Sequence, residues 1–112
     1  MAFSVTSEMK NGIAQLTLVG ELDAAAANDF RAAIEQAAAG QPKRLVLIMS
    51  GLSYMASAGL RTLVFAKQKM GPSVDIYVIG VQEPVRETLE MTGFQHSVVM
   101  LDQYDAADIE AI

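Results

Sequence analysis

The sequence predicts one α/β domain, residues 1–112, in which helices pack against a central mixed β-sheet in the order β-β-α-β-α-β-α-β-α. Three observations predict this fold. Asn11-Gly12 is a strong signal for a tight hairpin turn between two strands. The nearly continuous apolar runs at 44–49 and 74–81 suit strands that are buried on both faces of a sheet. Segments with helical spacing follow these runs, and strands that alternate with helices indicate a largely parallel sheet.

The composition narrows the functions that this chain can have. Hydrophobic residues make up 52% of the 112 residues, which is enough for one buried core. The chain has no cysteine, so disulfides, thiol catalysis and thiolate metal sites are excluded. A net charge of −5 disfavours binding to nucleic acids and to anionic membranes, because both are negatively charged. No stretch of about 20 apolar residues predicts membrane insertion, and the N-terminus lacks a signal-peptide pattern, so we expect a cytoplasmic protein.

The first three elements are a hairpin and a helix. Phe3 and Val5 alternate with polar neighbours in the first strand, and residues 13–20 form the second strand. Asp23 is expected to be the N-cap of the first helix, because its carboxylate can accept hydrogen bonds from free amides of the first turn. Apolar residues at helical spacing follow it, and Gly40 marks the end of the helix.

The third strand and the second helix form the most informative segment. Residues 44–49 are expected to form the strand, and residues 50–55 a connecting loop. The second helix presents one apolar stripe, in which a lysine can extend its amine to solvent, and it ends at Gly71. The stripe consists of Leu60, Leu63, Val64, Lys67 and Met70.

The rest of the chain continues the alternation of strands and helices. Residues 74–81 form the fourth strand, Pro84 starts a third helix and Gly93 caps it. Residues 97–101 are expected to form a short last strand, and Asp102 is expected to cap a terminal helix. The apolar residues assigned to these two helices are Val85, Leu89 and Met91 in the third, and Tyr104, Ala107 and Ile109 in the last.

Ser57 stands where a buried strand gives way to a helix. In open α/β sheets, partners and ligands tend to bind at the carboxyl ends of the strands. We expect the Ser57 hydroxyl to cap the first free amides of the helix, around Gly59 and Leu60. A phosphate on this serine would meet unpaired amides and the positive end of the helix dipole. Arg61 lies four residues further along, on the same helical face, and can pair with such a phosphate.

The sequence argues against an enzyme. The segment Ala56-Ser57-Ala58-Gly59 lacks the first glycine of the Gly-x-Ser-x-Gly nucleophile elbow, and the chain has a single histidine, so no catalytic triad is indicated. That histidine, His96, is expected to be a solvated residue without a metal role. No cofactor or metal site is predicted. The acidic residues near the C-terminus lack the glycine spacing of a calcium loop and are expected to form a solvated helical face: Asp102, Asp105, Asp108 and Glu110.

Three motifs occur in a set order along the chain. They are Gly20-Glu21-Leu22-Asp23, the apolar strand and loop at 45–55 leading into Ser57, Gly59 and Leu60, and Glu90-Met91-Thr92-Gly93-Phe94. Together with the order of strands and helices, they resemble the STAS domain, the module of anti-sigma-factor antagonists that also occurs on sulphate transporters. The resemblance covers essentially the whole chain.

The resemblance implies a protein-binding regulatory switch that acts in bacterial partner switching and controls transcription. In the antagonists that this sequence resembles, an anti-sigma-factor serine kinase phosphorylates the matching serine. The dephosphorylated antagonist binds that kinase and frees a sigma factor. Here the phosphoacceptor is then Ser57, the partner is an anti-sigma-factor serine kinase, and a serine phosphatase is a further candidate partner. The expected partner-binding residues are Asp23, Met55, Ala56, Ser57, Ala58, Gly59, Leu60 and Arg61.

Two positions differ from the family pattern. The aspartate that precedes the serine in the family is Ala56 here, and the residue after the serine is Ala58. Two other functions therefore stay open. One is a docking or scaffold subunit that uses the same surface without being phosphorylated, and the other is a sensor of a small ligand.

Overall fold

The structure, a computed structural model, describes residues 2–111. Its sheet starts with the predicted hairpin. Asn11 (φ 55°) and Gly12 (φ 80°) both adopt the left-handed conformation that a type I′ turn requires. Lys10 and Ile13 pair across this turn, so the first two strands run antiparallel in the register that the turn imposes.

The order of elements is the predicted one, with an added 3₁₀ turn. The elements are β1 (Ser4–Lys10), β2 (Ile13–Leu22), α1 (Ala27–Ala39), β3 (Arg44–Met55), α2 (Ser57–Met70), β4 (Asp75–Ile79), α3 (Glu83–Thr92), the 3₁₀ turn (Phe94–Ser97), β5 (Val99–Leu101) and α4 (Ala106–Ile109). The five strands lie side by side in chain order. β1 is antiparallel to β2, and the other neighbouring pairs are parallel. The predicted mixed α/β sheet is confirmed.

The two faces of the sheet are covered unequally. Buried side chains of α1, α2 and α3 pack with one face of β2, β3 and β4, around Phe30, Leu63 and Leu89. On the opposite face, a smaller cluster forms around Val46 of β3 and Ile109 of α4. Within residues 2–111, no helix is both long and apolar enough to cross a membrane.

β2 and β3 are both longer than predicted. β3 was expected over 44–49 and extends to Met55, while β2 continues past Gly20 to Leu22. Two register shifts between these strands keep them paired through a polar stretch. The hydroxyl of Ser53 donates a hydrogen bond to the Gly20 carbonyl at 3.1 Å within this stretch. Such irregularities interrupt the alternation of polar and apolar residues, so the pattern indicated a loop where the strand continues.

The buried face of α2 is rotated from the predicted stripe. Val64 is 40% exposed, and Leu60 is only half-buried. A Cβ added at Gly59 would lie 2.8 Å from Cγ of Leu22, which shows how closely the helix approaches the sheet. Small residues permit this close approach. A prediction based on hydrophobic side chains does not identify them as the buried face of the helix. The residues of α2 that are buried are Gly59, Thr62, Leu63 and Ala66.

α3 agrees with the prediction except at one residue. Pro84 lies in its first turn, and Gly93 ends it in the left-handed conformation, with φ 76°. Val85 and Leu89 are fully buried, whereas Met91 is 87% exposed. Two residues correspond to about 200° around a helix, so Met91 faces away from Leu89.

The last two strands are shorter than predicted. β4 was expected over 74–81 and covers Asp75–Ile79, because Gly80 leaves the sheet with φ 70°. The last strand was expected over 97–101, but residues 94–97 form the 3₁₀ turn and only Val99–Leu101 pair with β4. A turn of this kind has no distinct apolar period, so the sequence pattern did not separate it from the strand.

The terminal helix has a different cap from the predicted one. Asp105 caps α4, and its carboxylate accepts a hydrogen bond from the Asp108 amide at 3.3 Å. Asp102, the predicted cap, instead lies 3.8 Å from the Arg86 guanidinium. Of the three apolar residues expected in this helix, Ile109 is buried, Ala107 is exposed and Tyr104 precedes the helix.

The packing of α2 predicts opposite results for two neighbouring substitutions. Leu63→Ala should lower the free energy of unfolding by about 2–5 kcal/mol, because it opens a cavity in the core. Val64→Ala should change it by less than about 0.5 kcal/mol, because the side chain is largely in solvent. Denaturant unfolding of both variants measures the two losses. Equal losses would contradict the observed orientation of the helix.

Candidate functional site

The ends of β2 and β3 lie side by side and define the site. Leu22 pairs with Met55 at the end of the parallel ladder. The Ala56 amide then donates a hydrogen bond to the Leu22 carbonyl at 2.8 Å. The chain therefore leaves both strands at the same edge, and the structure brings Asp23 and Ser57 to that edge.

Asp23 stabilises the turn that precedes α1. Its carboxylate accepts a hydrogen bond from the Ala26 amide at 2.8 Å, and its carbonyl accepts one from the Ala27 amide at 3.1 Å. The bond to the amide three residues ahead is the bond of an N-cap. However, α1 begins at Ala27 rather than at Ala24, so Asp23 caps a turn and not the helix itself. The side chain of Asp23 is exposed.

The prediction that Ser57 caps α2 is wrong. The N-cap is Ala56, whose extended backbone (φ −77°, ψ 168°) precedes the helix, and Ser57 is the first helical residue. The Ala56 carbonyl accepts hydrogen bonds from the Gly59 amide at 2.9 Å and the Leu60 amide at 3.2 Å. These are the two amides that the serine hydroxyl was expected to cap. The backbone carbonyl of Ala56, and not the side chain of Ser57, therefore caps these amides.

The side chain of Ser57 is thereby left available. Ser57 is exposed, and within residues 2–111 no hydrogen bond engages its hydroxyl. A serine nucleophile needs an adjacent general base, and none is bonded to this one. The hydroxyl of Ser57 is therefore open to solvent.

The eight expected partner-binding residues differ in accessibility. Asp23, Ser57 and Arg61 are exposed, while Ala56, Ala58 and Leu60 are half-buried. Met55 is only 2% exposed, and Gly59 is buried too. These last two residues pack inside the fold, where Gly59 lies close to Leu22.

Two clefts flank the start of α2, and the sequence did not indicate either. One cleft of about 310 Å³ lies between α1 and α2, and its lining includes Ala24, Ala27, Asn28, Arg31, Ala58 and Arg61. The other, of about 320 Å³, lies between α2 and the start of the 3₁₀ turn, around Leu60, Val64 and Phe94. Arg61 lines both clefts. Segments distant in the sequence form these clefts, so no local sequence pattern predicts them.

Tyr54 lies in the segment that was expected to be a connecting loop, and Arg31 is a residue that the sequence reasoning missed. Tyr54 is 48% exposed near the end of β3, so its ring adds apolar surface to that end of the strand. The Arg31 guanidinium lies 4.0 Å from the centroid of the Phe65 ring, so it stacks on α2 although it belongs to α1. Such a contact favours an extended, ordered arginine side chain.

Tyr104 has a shifted pKa that is unrelated to this edge. Its hydroxyl donates a hydrogen bond of 2.6 Å to the Glu110 carboxylate, which raises the pKa of Tyr104 to about 12. Tyr104 precedes α4 and lies next to the β1–β2 hairpin, at the opposite end of β2 from Asp23. In the described part of the chain, no group of three or more His, Cys, Asp or Glu residues is placed to hold a metal ion. His96 is exposed in the 3₁₀ turn.

Known proteins share both the sequence pattern and the fold. The family model of the STAS domain matches residues 4–107. The anti-sigma-F factor antagonist RsfB of Mycobacterium tuberculosis (strain CDC 1551 / Oshkosh) is 30% identical over 92 residues, which are 82% of this chain and 75% of RsfB.

Solved structures agree with the family match. The crystal structure of an anti-sigma factor antagonist from Mycobacterium paratuberculosis has a TM-score of 0.89 at 22% identity, over 97% of this chain and 95% of that one. The Bacillus cell fate determinant SpoIIAA in the phosphorylated form has a TM-score of 0.70 at 20% identity, over 96% and 97%. At these identities the structures support the fold, and the family model and RsfB support the relationship. The chain therefore belongs to the STAS domain family, as its motifs predicted.

Proposed function

We propose that this protein is an anti-sigma factor antagonist that acts in the cytoplasm and is switched by phosphorylation of Ser57. Its unphosphorylated form binds an anti-sigma-factor serine kinase through the edge formed by Asp23 and the start of α2. The observation that carries this proposal is the exposed Ser57 hydroxyl, which the fold leaves without a hydrogen bond within residues 2–111. RsfB is an anti-sigma-F factor antagonist, and SpoIIAA is known in phosphorylated and unphosphorylated forms.

The chemistry of the switch requires a free hydroxyl and a kinase. The Ser57 oxygen forms a bond to the terminal phosphorus of a nucleoside triphosphate, and the bond from that phosphorus to the leaving diphosphate breaks. The hydroxyl proton passes to a base on the kinase, because this chain offers none at Ser57. A hydroxyl engaged in capping would have to give up its hydrogen bond first. Ser57 has no such bond to lose.

Ala56 is compatible with this role. The family pattern has aspartate at this position, but the contacts of residue 56 that shape the site are made by its backbone amide and carbonyl. A change of side chain leaves those hydrogen bonds in place. The presentation of Ser57 therefore does not depend on the missing carboxylate, and the kinase must recognise other features of the edge.

Phosphorylation would change the character of the edge. A phosphoserine carries a charge of about −1.5 to −2 at neutral pH. Tyr54 before Ser57 is exposed, and Leu60 after it is half-buried and lines a cleft. Protein interfaces exclude charge from their apolar centres, because an unpaired charge loses its hydration there. The phosphate would thus oppose docking of the partner.

The first prediction concerns the site of modification. Incubation with the cognate kinase and ATP should add one phosphate, which peptide mass analysis should locate at Ser57. The same analysis of protein from the native cell, with phosphatases inhibited, should find it there. Ser57→Ala is the matched control and should remain unmodified. Phosphate on Ser50 or Ser53 instead would contradict the assignment, and no phosphate at all would favour a docking subunit.

A second prediction separates the charge at Ser57 from its hydroxyl. Ser57→Ala should bind the unphosphorylated protein's partner nearly as tightly as wild type, because it keeps an uncharged surface. Ser57→Asp should bind more weakly by about 2 kcal/mol, or roughly 30-fold in Kd. Calorimetric titration measures both affinities.

Thermal unfolding provides the control for this comparison. Both variants should unfold within about 0.5 kcal/mol of wild type, since the hydroxyl makes no bond and a carboxylate is favourable at a helix start. Equal affinity of the aspartate variant and wild type would show that charge at residue 57 is not the switch.

A further inference from the structure

The cleft between α1 and α2 lies near the start of α2, although Ser57 itself does not line it. We call it the arginine cleft; Arg31 borders it on α1, and Arg61 borders it on α2. Ala58, the residue after Ser57, also lines it. Ala24 and Ala27, just before α1 and at its start, also line the cleft, and their small side chains leave it open.

Two cations without an ion pair among residues 2–111 border this cleft. The net charge is −5, with 8 Lys and Arg against 13 Asp and Glu. The ion pairs found within residues 2–111 join Arg44 to Asp75 and Arg86 to Asp102. None of them involves Arg31 or Arg61, and no acidic residue lines the arginine cleft. The positive charge of the cleft is therefore available to an anionic group.

We infer that the arginine cleft is the binding site for the phosphate carried by Ser57, which Arg61 contacts from the same helix and Arg31 attracts from α1. This inference rests on the proposed phosphorylation of Ser57 and names the group that receives the phosphate. Guanidinium groups suit this ligand, because their fixed donors match the oxygens of a phosphate in pairs.

The two arginines act at different distances. Arg61 follows Ser57 by four residues, which places the two side chains about 6 Å apart along the helix. The Arg31 guanidinium rests on Phe65, about 12 Å along α2 from Ser57 by the same rise. Arg31 can move off the ring towards the phosphate, because it is exposed. Arg61 should therefore have the larger effect and Arg31 a smaller effect of the same sign.

Acidic groups near the edge oppose the arginines. Asp23 follows the end of β2, although its carboxylate is already bonded to the Ala26 amide. Glu21 near the end of β2 and Asp29 in the first turn of α1 are also exposed. These charges raise the pKa of a phosphate, whereas the arginines lower it. A comparison of variants that remove one arginine at a time isolates the contribution of the cleft.

Occupation of the cleft changes more than the surface of α2. A phosphate held between Arg61 and Arg31 neutralises both and joins α1 to α2 across the cleft. A partner that contacts this edge then meets an altered surface on both helices. Phosphorylation therefore changes the charge of the arginine cleft as well as adding charge at Ser57.

The test measures the pKa of the phosphate itself. Phosphoserine is inserted at position 57 during translation, so that no kinase is needed, and ³¹P NMR follows its titration. Arg61→Gln should raise the pKa by about half a unit, the effect of a unit charge about 6 Å away in water. Arg31→Gln should raise it by less. Lys69→Gln is the control that removes one charge about 18 Å along the same helix, and it should leave the pKa unchanged.

Charge-preserving variants complete the test. Arg31→Lys and Arg61→Lys keep the charge but lose the paired donors of the guanidinium, so each should raise the pKa by less than the matching glutamine variant. Melting of the unphosphorylated variants controls for loss of the Arg31 contact with Phe65. If Arg31→Gln titrates like Lys69→Gln, α1 does not hold the phosphate and the inference is wrong. This outcome is independent of the proposed function, which fails instead if no kinase modifies Ser57.

Discussion

The site depends on the parallel pairing of β2 with β3 to their last residues. This ladder ends with Leu22 opposite Met55, and the next hydrogen bond joins the Ala56 amide to the Leu22 carbonyl. Both chain segments are thus held at one edge before either helix begins. If the strands separated a few residues earlier, as the polar stretch suggested, Asp23 and Ser57 would lie on independent loops. The register shifts within this pairing are therefore what allow one surface to form from two distant segments.

Backbone groups and side chains divide the work at this edge. Ala56 supplies the amide that extends the ladder and the carbonyl that caps α2, and Gly59 lets the helix sit against Leu22 without a steric clash. Neither task requires a functional side chain. The geometry is consequently built from residues that a partner does not need to touch, and Ser57 is free to differ in chemical state without loss of a structural bond.

Electrostatics give the edge a character different from that of the rest of the protein. The chain is acidic overall, yet Arg31 and Arg61 face a common cleft without an ion pair among residues 2–111. The start of α2 adds the positive end of a helix dipole, since Ser57 is its first residue. The arginines and the start of α2 favour an anion at this edge, whereas the nearby carboxylate of Asp23 opposes it.

Local sequence patterns were enough to predict the mixed sheet, the order of its elements, the hairpin at Asn11-Gly12 and the position of Ser57 at a strand-to-helix junction. These features follow from turn conformation, apolar runs and helix stop signals. The folded structure was needed to learn which residue caps α2, which face of that helix is buried, how far β3 extends and that Arg31 stacks on Phe65. Each of these depends on contacts between segments distant in the chain, and small residues such as Gly59 govern the closest of them. Hydrophobic patterns record how much apolar surface a residue has, but not how near a neighbouring element can approach it.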